Sequence, residues 1–170
     1  KESLKGEQSP LMPYHVTEKS VLSCYDGREN QGNTGVQAAE KMTAGNKNPE
    51  LSFSGRLLGG CMDCLVNLKE FNEKYKEDGI IWFLESCDLN VFGIRRAMWQ
   101  MEHAGWFRHV KGFLIGRPLC FGQEMIGLDA YQAILEVAAR KNVPVIMDVD
   151  LGHLPPMMPL IVGSMADVQM

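Results

Sequence analysis

Two residues in this chain have the side-chain types and the settings that proton-transfer chemistry needs. Glu85 closes the apolar run Ile80, Ile81, Trp82, Phe83 and Leu84, and His153 sits between Gly152 and a Leu-Pro-Pro exit, just after Asp148, Val149, Asp150 and Leu151. A carboxylate and an imidazole, each delivered at the end of a strand-like segment, are two of the three members of a nucleophilic triad. Each also has a plain structural reading. Glu85 could cap a helix or face solvent in a strand-to-helix loop, and His153 could be a core-edge histidine held by backbone hydrogen bonds. The flanks favour the chemical reading of His153, because Gly152 lets the backbone approach closely and Pro155 and Pro156 stiffen the exit. His15, His103 and His109 lack such bracing. His103, near a helix end, complements the terminal dipole, and His109 reads as a loop residue.

The elements that must position this pair follow from periodicity. Residues 1–54 are loop-rich, with short strands expected near 14–16 and 21–25, and residues 55–170 form the organised part. Leu65, Leu68, Phe71 and Tyr75 mark a helix before the strand at 80–84. Ile94, Ala97, Met98 and Met101 make a helical stripe that stops at Gly105. A strand at 110–115 is followed by a helix from Asp129 with the stripe Tyr131, Ile134, Leu135 and Ala138. Pro144 then breaks the pattern before a strand at 145–149. Strands alternating with helices predict an α/β fold, and in open α/β sheets ligands bind beyond the carboxyl ends of the strands. Both Glu85 and His153 lie at such ends.

Composition narrows the function classes. At 170 residues the chain suits one domain with a core of its own, and 45% hydrophobic with 22% charged residues is an ordinary globular balance. A net charge of −4 with scattered Lys and Arg gives no footprint for nucleic acid, and no apolar run is long enough to span a membrane. Cys24, Cys61, Cys64, Cys87 and Cys120 are an odd set without disulfide spacing, which points to a reducing, cytoplasmic setting. Cys61 and Cys64 form a CxxC with no second pair and no nearby His, so semi-buried thiols beside a helix start are expected rather than a metal or redox site. Gly59, Gly60 and Cys61 read as a loop, either near a ligand or as a plain tight turn. Trp82, Trp99 and Trp106 are expected in the core.

Five ordered segments carry a family resemblance. They are Gly55 to Cys61, Ile80 to Glu85, Ala104 to Phe107, Gly112 to Pro118 and Asp150 to Pro156. Together they resemble the C-terminal domain of the LD-carboxypeptidase family of serine peptidases, nearest to the branch that includes the microcin C immunity proteins. The resemblance implies a swivelling β/β/α three-layer domain and a Ser-His-Glu triad with Glu85 and His153 as two of its members. It places Gly59, Gly60 and Cys61 near the substrate, although related branches carry Asn where this chain has Cys61. It implies no cofactor and no metal. The substrate would be a peptide, a muropeptide or a peptidyl nucleotide, and dimers are common among relatives. The family's nucleophile stands on a Gly-Tyr-Ser-Asp-like turn in an N-terminal domain. Ser20, Ser23, Ser52, Ser54, Ser86 and Ser164 all lack that context. The expectation is therefore a C-terminal domain, truncated at both ends, whose partner is its own N-terminal domain and which is silent alone. The alternative is a non-catalytic ligand-binding or interaction domain using the same cleft.

Overall fold

The computed structural model describes residues 23–25, 51–67, 73–120 and 123–169. Six strands form one sheet: β1 (Ser23–Tyr25), β2 (Ser52–Cys61), β3 (Ile80–Glu85), β4 (Val110–Gly116), β5 (Val145–Val149) and β6 (Met165–Gln169). Their spatial order is β1-β5-β4-β3-β2-β6. The four central strands run parallel, and the two edge strands pair antiparallel with β5 and β2. Four parallel strands put four carboxyl ends on one edge of the sheet. This is the edge at which both Glu85 and His153 were expected.

All six β3 residues are buried, as a strand covered on both faces requires. Alternation sends Ile80, Trp82 and Leu84 to one face, where they meet Phe113, Ile115, Val145 and Met147 from the flanking strands. Two helices cover that face: α2 (Val91–His103) and α3 (Ala130–Ala138). Asn90 caps α2 by accepting from the Gly93 N–H, and its buried residues include Ile94, Ala97, Met98 and Met101, the stripe expected from spacing. The helix ends at Ala104, with Gly105 left-handed at φ 83°. Asp129 caps α3 in a reciprocal box with Gln132. Its most buried residues are Ala133, Ile134, Val137 and Ala138, whereas Tyr131 and Leu135 of the expected stripe pack at the margin.

The opposite face carries Leu57, Ile81, Phe83, Leu114, Ile146, Val149 and Leu151, covered in part by Met158 and Leu160 from the chain that follows β5. Glu85 has the parity of Ile81 and Phe83 and so belongs to this face. No helix among the described residues is long and apolar enough to cross a membrane.

Three expectations change. The segment at Gly59 and Gly60 is not a loop but the end of β2, paired in register with Phe83 and Leu84. Trp82 and Trp106 are buried and stacked at 5.4 Å, but Trp99 is 54% exposed and stacks on His103. The helix expected across 65–75 is present as a four-residue turn of helix, α1 (Met62–Leu65), and a 3₁₀ turn at Glu73–Tyr75, with 68–72 outside the described residues. The strand expected near 14–16 and His15 also lie outside them, while 23–25 does form a strand.

Candidate active site

The site begins with strand register. Cys61, the last residue of β2, is the direct partner of Glu85, the last residue of β3. Backbone pairing therefore fixes a thiol and a carboxylate side by side at the carboxyl edge. The next strand, β4, ends at Gly116, and its missing side chain is what admits the third group. A Cβ there would stand 2.5 Å from the Leu151 carbonyl and 2.9 Å from Glu85 Cβ. The chain leaving β5 thus crosses the end of β4 at Gly116 and reaches β3, two strands away.

That crossing brings His153 to Glu85. The imidazole Nδ1 lies 2.8 Å from Glu85 Oε2, with Glu85 buried and His153 exposed. The approach depends on Gly152, which has φ 103° and whose Cβ would stand 2.7 Å from the same Oε2. A side chain at 152 would be strained by the backbone and would collide with the carboxylate. The imidazole pKa is raised from its ordinary 6.5, first by the hydrogen bond to Glu85 and second by that carboxylate's charge, with desolvation opposing.

Two further side chains hold the frame. Arg117, just past β4, places Nη2 2.8 Å from Asp150 Oδ1 and donates to the carbonyls of Leu154 and Pro156 at 3.3 and 3.2 Å. The contact with Asp150 is an ion pair without hydrogen-bond alignment, since that carboxylate has no hydrogen-bond partner. Burial pushes the Asp150 carboxyl above its ordinary value, and the Arg117 guanidinium at 2.8 Å is the positive charge placed against it. Arg117 therefore ties together both flanks of His153. Asp63, in the first turn of α1, accepts from the Asp88 and Cys87 N–H groups at 2.8 and 3.1 Å, and from Ser86 Oγ and Cys61 Sγ at 3.3 Å each. Burial alone would raise the Asp63 pKa, but the Asp88 and Cys87 N–H groups, the Cys61 thiol and its own backbone together outweigh it and hold the group below its ordinary value. Asp63 thus pins the turn that follows Glu85.

Cys61 is half-buried, and its thiol pKa is pushed up to about 12 by burial, by the hydrogen bond to Asp63 and by the charge of Glu85. It is therefore a protonated thiol rather than a nucleophile.

A comparison with known families decides what kind of domain this is. Residues 54–168 match the LD-carboxypeptidase C-terminal domain. The chain belongs to that family. This LD-carboxypeptidase domain is 24% identical over 108 residues to a Vibrio cholerae protein assigned as a carboxypeptidase, covering 62% of the chain and 32% of that relative. Among solved structures it resembles a muramoyltetrapeptide carboxypeptidase from Oxalobacter formigenes, with TM-score 0.59 and 21% identity over 72% of this chain and 43% of that one. It also resembles the microcin C7 self-immunity protein, with TM-score 0.57 and 18% identity over 89% of this chain and 48% of that one. At these identities the structural likeness is one of fold. The chain spans about a third of the curated relative's length and less than half of each of these solved structures.

Within the LD-carboxypeptidase domain, the residues expected at the site divide clearly. Glu85, His153 and Cys61 come together, with one donor atom from each within 4.8 Å of the others. Gly59 serves the sheet, since a Cβ there would stand 1.7 Å from the Phe83 carbonyl oxygen. Gly60, in contrast, has open space beside it among the described residues. Cys64 is exposed and Ser86 is buried against Asp63. Asp63 was not singled out by sequence reasoning, and Gly116, Arg117 and Asp150 entered it only as members of the resembling segments, without a role at the site. Position was the available signal: each lies within two residues of the carboxyl end of a strand.

Proposed function

We propose that this domain supplies the general base and its orienting carboxylate to a serine-type carboxypeptidase or amidase, with His153 as base and Glu85 as orienter. The observation that carries the reading is the 2.8 Å contact between His153 Nδ1 and buried Glu85 Oε2. With Nδ1–H donated to Glu85, the other ring nitrogen is the one free to accept a proton. In the acylation step Nε2 takes the serine hydroxyl proton as the oxygen attacks the scissile carbonyl. The imidazolium so formed is stabilised by Glu85, and it returns the proton to the leaving amine as the amide bond breaks.

The serine comes from an N-terminal domain of the longer protein, and this chain by itself is silent. Support for a split site comes from the high pKa of the Cys61 thiol and from the burial of Ser86, which leave neither as a nucleophile. The substrate class is a peptide amide, of the muropeptide type or the aminoacyl-nucleotide type. Solved relatives include a muramoyltetrapeptide carboxypeptidase and immunity proteins in complex with aspartyl sulfamoyl adenosine and glutamyl sulfamoyl guanosine.

A serine-directed fluorophosphonate tests the assignment. It is expected to label the full-length protein outside these 170 residues, to label a His153→Ala variant far more slowly, and to leave this chain unlabelled. Label on a serine within this chain would overturn the split-site reading, and undiminished labelling in the variant would overturn the base assignment.

A further inference from the structure

We infer that Cys61, Glu85 and His153 also form a site for a divalent ion of the zinc class. Occupancy would switch the base off, a consequence that rests on the proposed triad, whereas the binding itself does not. Among the described residues, no other group of three or more His, Cys, Asp and Glu side chains brings its donor atoms within 4.8 Å of one another. The donors are a sulfur, an imidazole nitrogen and a carboxylate oxygen. That set suits zinc and cobalt(II), not the all-oxygen shells of magnesium or calcium.

The donors are also held in advance of binding. Cys61 and Glu85 are register partners at the ends of two paired strands, so their separation is set by backbone hydrogen bonds. His153 is held by its contact with Glu85 and by the Arg117 contacts on both sides of it. Tetrahedral zinc, with bonds of about 2.0 to 2.3 Å, needs donors about 3.3 to 3.7 Å apart. The nitrogen and oxygen at 2.8 Å would open slightly around the ion, and the sulfur would close on it. His153 is half-exposed, with 45% of its side chain accessible, which leaves a face through which an ion can enter and a water can complete the shell.

The proton balance explains the switch. Zinc takes Cys61 as thiolate, releasing one proton to solvent. It takes the imidazole through Nδ1, the nitrogen already facing Glu85, so the ring proton resides on Nε2. An Nε2–H cannot accept a proton from serine, and Glu85 is occupied by the ion. Asp63 loses the thiol donor but keeps Ser86 Oγ and the Cys87 and Asp88 N–H groups. The CxxC partner Cys64 takes no part, which sets this site apart from a dithiol site.

Metal-free chain titrated with Zn²⁺ against a chromogenic chelator, and in parallel with Co²⁺, provides the test. The expected result is one ion per chain and a near-ultraviolet thiolate-to-cobalt band. Cys61→Ser and His153→Gln should each weaken binding at least about tenfold. Cys64→Ser should change nothing. Absence of the cobalt band in the unaltered chain would overturn the inference without reference to any variant. So would an affinity equal to the unaltered chain's in both Cys61→Ser and Cys61→Asn, with circular dichroism establishing that both are folded. In the full-length protein Zn²⁺ should suppress turnover, and suppression should be relieved in Cys61→Ser relative to that variant's own metal-free rate. Cys61-dependent binding that leaves turnover untouched would contradict the triad reading while the metal site stood.

Discussion

At the scale of single residues, the proposed chemistry depends on Glu85, His153 and the glycines that let them meet. Because the folded pKa of His153 is raised above its ordinary 6.5, the pair contributes stability that is fully present below that value and is lost as pH rises through the raised pKa. The same shift delays the appearance of the neutral base. A titration of His153 by NMR in metal-free chain should give a midpoint above 6.5, and Glu85→Gln should bring it down. An unchanged midpoint in that variant would show that Glu85 does not govern the imidazole. Gly152 offers a second test at this scale. Gly152→Ala meets both an unfavourable φ and the Glu85 carboxylate, so urea unfolding should show a loss of about 1 to 3 kcal/mol. Stability equal to the parent chain would contradict the close approach described.

At the scale of elements, three pieces at the carboxyl edge do the positioning: the end of β2 with α1, the turn after β3, and the segment that leaves β5. Arg117 holds the last of these, so Arg117→Met should leave the Asp150 carboxylate buried without a counter-charge. Breaking a fully buried pair costs about 3 to 5 kcal/mol, and a guanidinium that is about a quarter exposed should give somewhat less, of the order of 1 to 3 kcal/mol. Amide exchange should quicken through residues 151–158 more than in α2. Uniform exchange across both would argue that Arg117 is an ordinary surface residue.

The elements also show what was legible in the sequence. The α2 stripe at Ile94, Ala97, Met98 and Met101 was readable because its period is helical and its C-terminal end is marked by Gly105, whereas the Asn90 cap was not read. The run from Ile80 to Leu84 was readable because a strand buried on both faces leaves an unbroken apolar string. Gly59 and Gly60 misled, since glycine in sequence signals a turn, whereas both lie in β2, and at Gly59 the strand needs a residue without Cβ against the Phe83 carbonyl. Trp99 misled because its bulk suggests burial, yet it lies off the buried stripe of α2. Its exposed ring finds a partner in His103, one turn along the helix. The roles of Asp63, Gly116 and Arg117 were not legible, because each acts on a segment distant in sequence through a contact that only the sheet order creates.

At the scale of the whole molecule, one sheet with apolar clusters on both faces carries the site on a single edge. The helix-side cluster is aromatic at its centre, with Phe107 edge-on to Phe113 at 5.1 Å and to Trp82 at 5.9 Å. Phe107→Ala should cost about 3 to 5 kcal/mol in denaturant unfolding. It should leave the His153 titration midpoint in place at low denaturant, because the pair lies on the other face. A shifted midpoint would mean that the faces are coupled more tightly than the strand alternation implies. The family match, the carboxyl-edge position and the Glu85–His153 contact support the proposed reading of a base and its orienter in a serine-type hydrolase. The most direct measurement is turnover of the full-length protein carrying Glu85→Gln, on a tetrapeptide substrate and on an aminoacyl sulfamoyl adenosine. The expected result is a kcat lower by about 10³ to 10⁴ with KM little changed, because the imidazole loses its orienting carboxylate. A kcat within about twofold of the parent enzyme on whichever substrate it turns over would contradict it.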